Sequence, residues 1–170
     1  FDMVMDRVVL PILDEFQPEL IINSAGQDNH YTDPITNMNF TAQGYARLNR
    51  NLKPDICVLE GGYSIEGALP YTNLGIILAM AGLDTSHVKE PDYNPDNFIQ
   101  SAEMNMAISD ICDQAWQLFT KRDEMKKKYA EQESVVERKQ IFYDTTGFQV
   151  GETRIYQLCK QCPGYSQIIG

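Results

Sequence analysis

Two short apolar runs, each followed at once by polar residues, constrain the fold of this chain most. Leu20-Ile21-Ile22 leads into the polar loop that contains Asp28, and Ile56–Leu59 leads into Glu60-Gly61-Gly62-Tyr63. Apolar runs that are continuous rather than alternating are typical of strands covered on both faces of a sheet. Helical patterns precede, separate and follow the two runs, and short connections of this kind predict parallel strands with right-handed crossovers. The sequence therefore predicts an α/β fold.

The predicted helices follow from apolar residues at three- and four-residue spacing. Pro11 lies inside the first helix and should kink it or divide it in two, because proline lacks a backbone N–H. Thr41 is a suitable N-cap for the second helix, and Gly82 is a suitable stop for the third. Leu69, Leu74, Ile77 and Met80 of the third helix are predicted to point inward. The predicted elements, in chain order, are a helix over 5–16, a strand over 19–24, a helix over 41–52, a strand over 56–59 and a helix over 65–81.

The chain beyond Gly82 changes in composition. Residues 83–95 are rich in Asp, Ser, Pro and Tyr and are predicted to be a linker, and Asn94-Pro95-Asp96 reads as the start of a long helix. The apolar face predicted for that helix consists of Met104, Ile108, Ile111, Ala115, Leu118 and Met125. A small β-rich tail follows. The predicted domains are 1–82 (α/β), 83–135 (linker and long helix, packed on the first domain) and 136–170 (tail).

The tail contains a cysteine pair, Cys159-Lys160-Gln161-Cys162, after a predicted strand over 154–158. A strand that leads into Cys-x-x-Cys resembles one knuckle of a zinc ribbon. A structural zinc site normally needs four ligands, and the pair supplies two. Cys159 and Cys162 are therefore either half of a structural metal site or two unmetallated thiols in a turn.

Composition and charge exclude several classes of protein. A net charge of −10 and a pI near 4.6 argue against direct nucleic-acid binding, which needs a basic face. No apolar run is long enough for a membrane span, so we expect no membrane partner. Four cysteines in a chain of 170 residues do not form a disulfide framework, which favours a reducing, cytoplasmic location. Whether the chain forms a homo-oligomer is left open.

Asp28 and Tyr63 are the candidate functional residues. Each follows a predicted parallel strand, and the carboxyl ends of neighbouring strands are where an α/β sheet places its chemistry. Amide hydrolysis needs a polarised carbonyl, an activated water and a stabilised oxyanion; a catalytic Zn²⁺ supplies the first two. Asp28 is suitable as an oxygen ligand, and the Tyr63 phenol as the oxyanion donor. Alternatively, Asp28 caps the loop by accepting backbone N–H groups, and Tyr63 is a buried tyrosine bonded to a carbonyl.

Two motifs resemble a known family. Ser-Ala-Gly-x-Asp-x-His-x-x-Asp-Pro from Ser24, followed by Leu-Glu-Gly-Gly-Tyr from Leu59, is similar to the C-terminal half of the zinc-dependent histone deacetylase family. The family includes bacterial and archaeal deacetylase-like amidohydrolases. The resemblance implies part of a three-layer parallel sheet covered by helices, of the arginase/deacetylase type. It also implies Zn²⁺ as cofactor and an acetyl-lysine or related acetylated amine as substrate.

The same resemblance assigns roles to residues. The aspartate at the position of Asp28 is a zinc ligand in the family, the tyrosine at the position of Tyr63 hydrogen-bonds the scissile carbonyl, and Gly61 and Gly62 form part of the pocket wall. His30 and Asp33 are expected to support the metal ligand or the loop rather than bind metal, because the family does not use the position of His30 as a ligand and Asp33-Pro34 is expected to fix the turn of the loop. The other zinc ligands, an Asp-x-His pair, and the general acid–base His-His pair lie in the family's N-terminal half. The expected partner is therefore an N-terminal segment of the same protein that carries them.

Two further hypotheses remain. The first is a non-catalytic interaction or assembly domain that retains the fold and uses the Cys159–Cys162 tail. The second is an arginase-like ureohydrolase, which would bind two manganese ions through clustered Asp-x-Asp ligands; no such cluster occurs in the sequence.

Overall fold

The computed structural model describes residues 1–130, 132, 134–143, 146–157 and 165–169. The contacts divide the chain into two compact units, Phe1–Ala115 and Trp116–Gly170, which are taken separately below. The predicted division into 1–82, 83–135 and 136–170 stays a prediction. No helix of the described residues has the length and apolar character needed to cross a membrane.

The first unit is built on two parallel strands, β1 (Ile22–Gly26) and β2 (Ile56–Glu60), which pair from Ile22 opposite Ile56 to Gly26 opposite Glu60. The α/β class and the parallel pairing are as predicted. The connection between the strands contains a helix over Ala42–Leu52, whose N-cap Thr41 accepts the N–H of Gly44 at 3.1 Å.

The chain begins with a helical segment that passes through Pro11. Helix α1 (Asp2–Val4) continues as a π-helical turn over Met5–Val9 and then as α2 (Leu10–Phe16). Pro11 has no N–H to donate to the preceding turn. Leu10 donates instead to the carbonyl of Met5, one residue further back than in an α-helix. The helical segment therefore changes from π-helical to α-helical hydrogen bonding immediately before Pro11.

The core lies on one face of the two strands. Helix α3 (Ala42–Leu52) and helix α4 (Leu69–Met80) pack there, and Ala25, Tyr45 and Ile76 form its buried centre. The opposite face carries Ile22, Ile56 and Val58, which are 57%, 46% and 43% exposed. The sequence predicted strands covered on both faces, whereas the described residues cover one.

Helix α4 buries a different face from the predicted one. Leu74, Ile77 and Met80 are exposed, and the buried residues are Thr72, Gly75, Ile76 and Ala79. The reason is the close approach of α4 to α3: a Cβ on Gly75 would lie 3.0 Å from the carbonyl oxygen of Ala42. The small residues therefore face inward. The helix begins at Leu69 rather than Ile65 and ends, as predicted, before Gly82, which has a φ of +69°.

The predicted linker over 83–95 packs into the first unit. Thr85, Val88 and Glu90 are buried, and the side-chain amide of Gln43 donates to the carbonyl of Val88 at 2.6 Å. Asn94 caps only a short 3₁₀ helix over Pro95–Phe98. The segment predicted as a linker is therefore held in place through specific hydrogen bonds, despite its polar composition.

In the region of the predicted long helix the chain forms two helices, α5 (Ala102–Thr120) and α6 (Arg122–Ala130). Arg7 donates to Ser109 Oγ at 2.7 Å and to Asp113, and Cys112 is buried near the carbonyl of Met3. These contacts set the inward face of the first part of α5. Met104, Ile111 and Leu118 of the predicted face are exposed.

The second unit contains a three-stranded antiparallel sheet in the order β3 (Ser134–Tyr143), β4 (Phe148–Gln157) and β5 (Tyr165–Ile169). Residues 154–157 of the strand predicted over 154–158 lie in β4. Cys159 and Cys162 lie outside the described residues.

Candidate active site

The ends of β1 and β2 bring the two candidate loops together. Gln27 N–H donates to the carbonyl of Glu60 at 2.9 Å and extends the strand pairing by one residue. Asp28 therefore lies beside Gly61, where a Cβ would be 3.1 Å from Cγ of Asp28. A Cβ on Gly26 would be 3.0 Å from Asp28 Oδ1. Glycine at both positions leaves the room that the Asp28 carboxylate occupies.

Gly62 packs against the loop that follows β1 (the first loop, which contains Gln27 and Asp28) and against α4. Its φ is +103°, and a Cβ there would lie 2.9 Å from both Gln27 Cβ and Leu69 Cδ2. Gln27 is itself buried: its amide donates to Asn73 Oδ1, and it accepts the hydroxyl of Thr72 at 2.5 Å. The turn before Tyr63 is thus packed tightly on both sides, and a side chain at Gly62 would separate the loops.

Asp33 connects the two loops through the backbone. It is buried, and its Oδ2 accepts the N–H of Tyr63 at 2.8 Å while Oδ1 accepts the N–H of Ile35 at 2.9 Å. Desolvation raises the pKa of Asp33, but these and neighbouring backbone N–H groups outweigh it and hold the pKa below its usual value. Asp33 is therefore the loop aspartate that binds backbone donors. Tyr63, whose N–H it holds, is 55% exposed.

The Asp28 carboxylate is half-buried, and within Phe1–Ala115 no side-chain or backbone donor bonds to it. Thr36 bonds the backbone carbonyl of Asp28. Below the loop, the Tyr45 hydroxyl donates to the carbonyl of Gly26 at 2.9 Å. Burial, and next the negative charge of Asp28, raise the pKa of Tyr45. The carboxylate is thus positioned by packing and leaves its oxygens available to a ligand.

His30 is fully buried, and both ring nitrogens have partners. Nε2 lies 2.8 Å from Glu90 Oε1, and Nδ1 lies 2.9 Å from the Thr32 hydroxyl. Burial raises the pKa of Glu90, but hydrogen bonds from His30 and from the N–H of Ala42 lower it by more than that. The pKa therefore lies below its ordinary value. Sequence reasoning missed Glu90. A buried histidine requires a partner, but nothing in the sequence indicates which residue supplies it.

The residues of this site fit one ligand position of a zinc ion. Asp28 offers carboxylate oxygens, which are suitable zinc ligands. Within the described part of the chain, no three His, Cys, Asp or Glu side chains come together as a metal site. Asp28 thus accounts for one of the roughly four ligands that a zinc ion needs.

An open groove of about 1090 Å³ lies elsewhere in the first unit. Its walls include Phe1, Phe40, Arg47, Phe98 and Met104, and they contain neither Asp28 nor Tyr63. The groove is therefore separate from the candidate active site.

The ends of the two parallel strands thus bring Asp28 close to the glycines that precede Tyr63. Comparison with known proteins shows what the chain resembles: residues 1–73 match the histone deacetylase domain. The resemblance of the two motifs to the C-terminal half of that family is thereby confirmed.

Two curated relatives show how much of the family this chain represents. A probable deacetylase of Archaeoglobus fulgidus is 53% identical over 104 residues, which is 55% of this chain and 29% of that protein. A histone deacetylase-like amidohydrolase of Pseudomonas aeruginosa is 30% identical over 116 residues, which is 63% of this chain and 29% of that protein. The chain thus spans less than a third of either relative. The crystal structure of the HDA15 HD domain aligns at 30% identity and a TM-score of 0.46, over 49% of this chain and 25% of that one.

Proposed function

We propose that this chain belongs to a zinc-dependent deacetylase that hydrolyses an acetyl-lysine or a related acetylated amine. In this proposal Asp28 is one zinc ligand and Tyr63 stabilises the oxyanion. The observation that carries the proposal is that two aspartates of the loop after β1 differ in their hydrogen-bond partners. Asp33 accepts the backbone N–H groups of the loops, whereas Asp28 lies against Gly61 without a donor in the first unit. A loop aspartate that only capped backbone groups would be bonded as Asp33 is.

Each residue has a distinct task in the proposed reaction. A bound zinc ion supplies Lewis-acid polarisation of the acetyl carbonyl and lowers the pKa of a bound water. Asp28 holds the ion through its carboxylate at the end of β1. The Tyr63 phenol donates a hydrogen bond to the oxygen on which negative charge develops, which is worth about 3–4 kcal/mol of transition-state stabilisation. Gly61 and Gly62 form the wall that keeps the loop after β2, which carries Tyr63 (the tyrosine loop), close to Asp28.

The remaining ligands and the general acid–base pair belong, in this proposal, to an N-terminal segment of the same protein. Support comes from the uncovered face of the sheet, on which Ile22, Ile56 and Val58 are all substantially exposed. Apolar side chains on an uncovered sheet face mark a surface that another element covers. A segment that completed the three-layer arginase/deacetylase sheet would bury them. The proposed location is the cytoplasm, with no direct contact to nucleic acid.

The test uses purified protein that contains this chain together with the N-terminal segment. Zinc per chain and acetate release from an acetyl-lysine peptide are measured for the parent, Asp28→Ala and Tyr63→Phe. Asp28→Ala should lose zinc and activity. Tyr63→Phe should keep zinc and lose about 10²–10³-fold in kcat. Glu66→Ala, a change of an exposed carboxylate in the same connection, is the matched control and should alter neither quantity.

A different outcome would favour the second candidate, a non-catalytic interaction domain. Zinc that persists in Asp28→Ala and is lost only in Cys159→Ser would assign the metal to the tail. Asp28 would then be a structural loop residue, and the deacetylase proposal would fail.

A further inference from the structure

Four side chains form a hydrogen-bonded chain from the core of the first unit to the tyrosine loop. Glu90 Oε1 contacts His30 Nε2 at 2.8 Å, His30 Nδ1 contacts Thr32 Oγ1 at 2.9 Å, and Thr32 Oγ1 contacts Ser64 Oγ at 2.7 Å. Glu90 and His30 are buried, at 2% and 0% exposure. Ser64 directly follows Tyr63. A carboxylate in the core is thus connected to the loop that carries the proposed oxyanion donor.

The hydrogen bonds that link these four side chains all run in one direction. The backbone N–H of Thr32 donates to His30 Nδ1 at 3.2 Å, so this nitrogen is an acceptor and the ring proton lies on Nε2. Nε2 therefore donates to Glu90. Because Nδ1 can only accept, the Thr32 hydroxyl donates to it, and the Ser64 hydroxyl must donate to Thr32 Oγ1. Hydrogen bonds are therefore donated from Ser64 to Thr32, from Thr32 to His30 and from His30 to Glu90.

Glu90 is itself held at the start of helix α3. Its Oε1 also accepts the N–H of Ala42, the first residue of that helix, where a negative charge is favoured. Glu90, the buried end of the hydrogen-bonded series, is therefore attached to a helix rather than to a loop.

At the other end, Gly67 lies close to the Thr32–Ser64 pair. A Cβ on Gly67 would lie 2.8 Å from Ser64 Oγ and 3.0 Å from Thr32 Oγ1. The next residue of the first loop, Asp33, accepts the N–H of Tyr63 at 2.8 Å. Thr32 and Asp33 thus hold two consecutive residues of the tyrosine loop.

We propose that Glu90, His30, Thr32 and Ser64 are positioning residues that fix the backbone of Tyr63, and with it the direction of the phenol, relative to Asp28. The inference rests on the proposed function of Tyr63 and extends it to a residue, Glu90, outside both sequence motifs. The Glu90–His30 end of these hydrogen bonds is buried, and Thr32 and Ser64 extend it to the surface. Hydroxyls that are bonded to a fixed, buried pair hold a loop more rigidly than hydroxyls bonded only to water. Rigid placement of a donor matters for catalysis since misplacement of the order of 1 Å costs about 10²-fold.

The test compares Thr32→Val, which removes the hydroxyl at nearly constant shape, with Thr32→Ser, which keeps it. Both are made in the protein that contains the N-terminal segment, in the parent and in the Tyr63→Phe background. Thr32→Val should lower kcat for an acetyl-lysine peptide about tenfold, leave KM and zinc per chain unchanged, and have no further effect once Tyr63 is phenylalanine. Thr32→Ser should restore the parent rate.

Amide hydrogen exchange at Tyr63 and Ser64 gives a readout that does not depend on activity. It should be several-fold faster in Thr32→Val and in Glu90→Gln than in the parent, and near the parent rate in Thr32→Ser. An equal loss of kcat in the Tyr63→Phe background, or unchanged exchange in Thr32→Val, would overturn the positioning role. An inactive, zinc-free parent would instead overturn the proposed function. The exchange rates alone would then decide whether the four hydrogen-bonded side chains fix the tyrosine loop.

Discussion

A Cβ atom on Gly61 would lie 3.1 Å from Cγ of Asp28 and 3.3 Å from both carboxylate oxygens. The proposed pocket wall and the proposed zinc ligand are therefore in direct contact. Gly61→Ala should displace the carboxylate, and we expect zinc per chain and deacetylase activity to fall together. Zinc content by elemental analysis and acetate release measure the two effects.

The control for this prediction is Gly82→Ala. Gly61 and Gly82 both have a left-handed backbone, with φ of +52° and +69°, but no atom lies within 4 Å of a Cβ built on Gly82. Both variants should lose roughly 1 kcal/mol of stability through backbone strain, and only Gly61→Ala should lose zinc. Normal zinc content in Gly61→Ala would contradict the ligand role of Asp28.

Asp33 gives a prediction for pH dependence. Its pKa is lowered in the folded protein by backbone N–H groups that outweigh desolvation. Its contribution to stability is therefore fully present above the unfolded pKa of about 3.9 and is lost as the pH falls through the lower folded value. Asp33→Asn should be less stable than the parent at neutral pH, and the difference should shrink towards about pH 3. Urea unfolding across this range measures it.

Asp14→Asn is the control for the pH prediction, because Asp14 is exposed on helix α2 and should contribute a small, nearly constant difference. A stability difference for Asp33→Asn that stays constant from neutral to acid pH would show that the charged form of Asp33 has no special role.

The sequence predicted the parallel strands and both loops because local patterns encode them. Continuous apolar runs, the Thr41 cap and the Gly61-Gly62 pair each act over a few residues. The burial of Glu90 could not be predicted, since it depends on the tertiary position of His30, which lies 60 residues earlier in the chain. The inward face of α4 was mispredicted for a related reason. That helix is apolar on most sides, and only the close approach of Gly75 to Ala42 determines which side is buried.

Tyr45 supports the β1 end from below the candidate site. Its hydroxyl is the donor to the carbonyl of Gly26 at 2.9 Å, and the ring is buried. Tyr45→Phe should cost about 1 kcal/mol of unfolding free energy because the part-buried carbonyl of Gly26 loses the donation from this hydroxyl. Tyr63→Phe, which changes an exposed phenol, should alter stability by less than about 0.5 kcal/mol. Equal stability losses in the two variants would contradict the supporting role of the Tyr45 hydroxyl.

The uncovered face of the sheet gives a prediction about the N-terminal segment. Val58 lies between its neighbours Cys57 and Leu59 on β2 and is 43% exposed on the face away from the core. If the N-terminal segment covers this face, Val58 becomes a buried side chain worth about 1.5–3 kcal/mol. Val58→Lys should then destabilise the complete protein by at least that amount, since it also buries a charge.

The same substitution should act differently in the chain on its own. There it changes an exposed residue, so stability should change by less than about 0.5 kcal/mol, and self-association through the apolar face should decrease. Ile65→Lys, at an exposed position outside both strands, is the matched control and should have a small effect in both contexts. Urea unfolding and light scattering of the two proteins measure these differences. A small effect of Val58→Lys in the protein that contains the proposed N-terminal segment would show that the face stays open to water, and would contradict the proposal that this segment covers it.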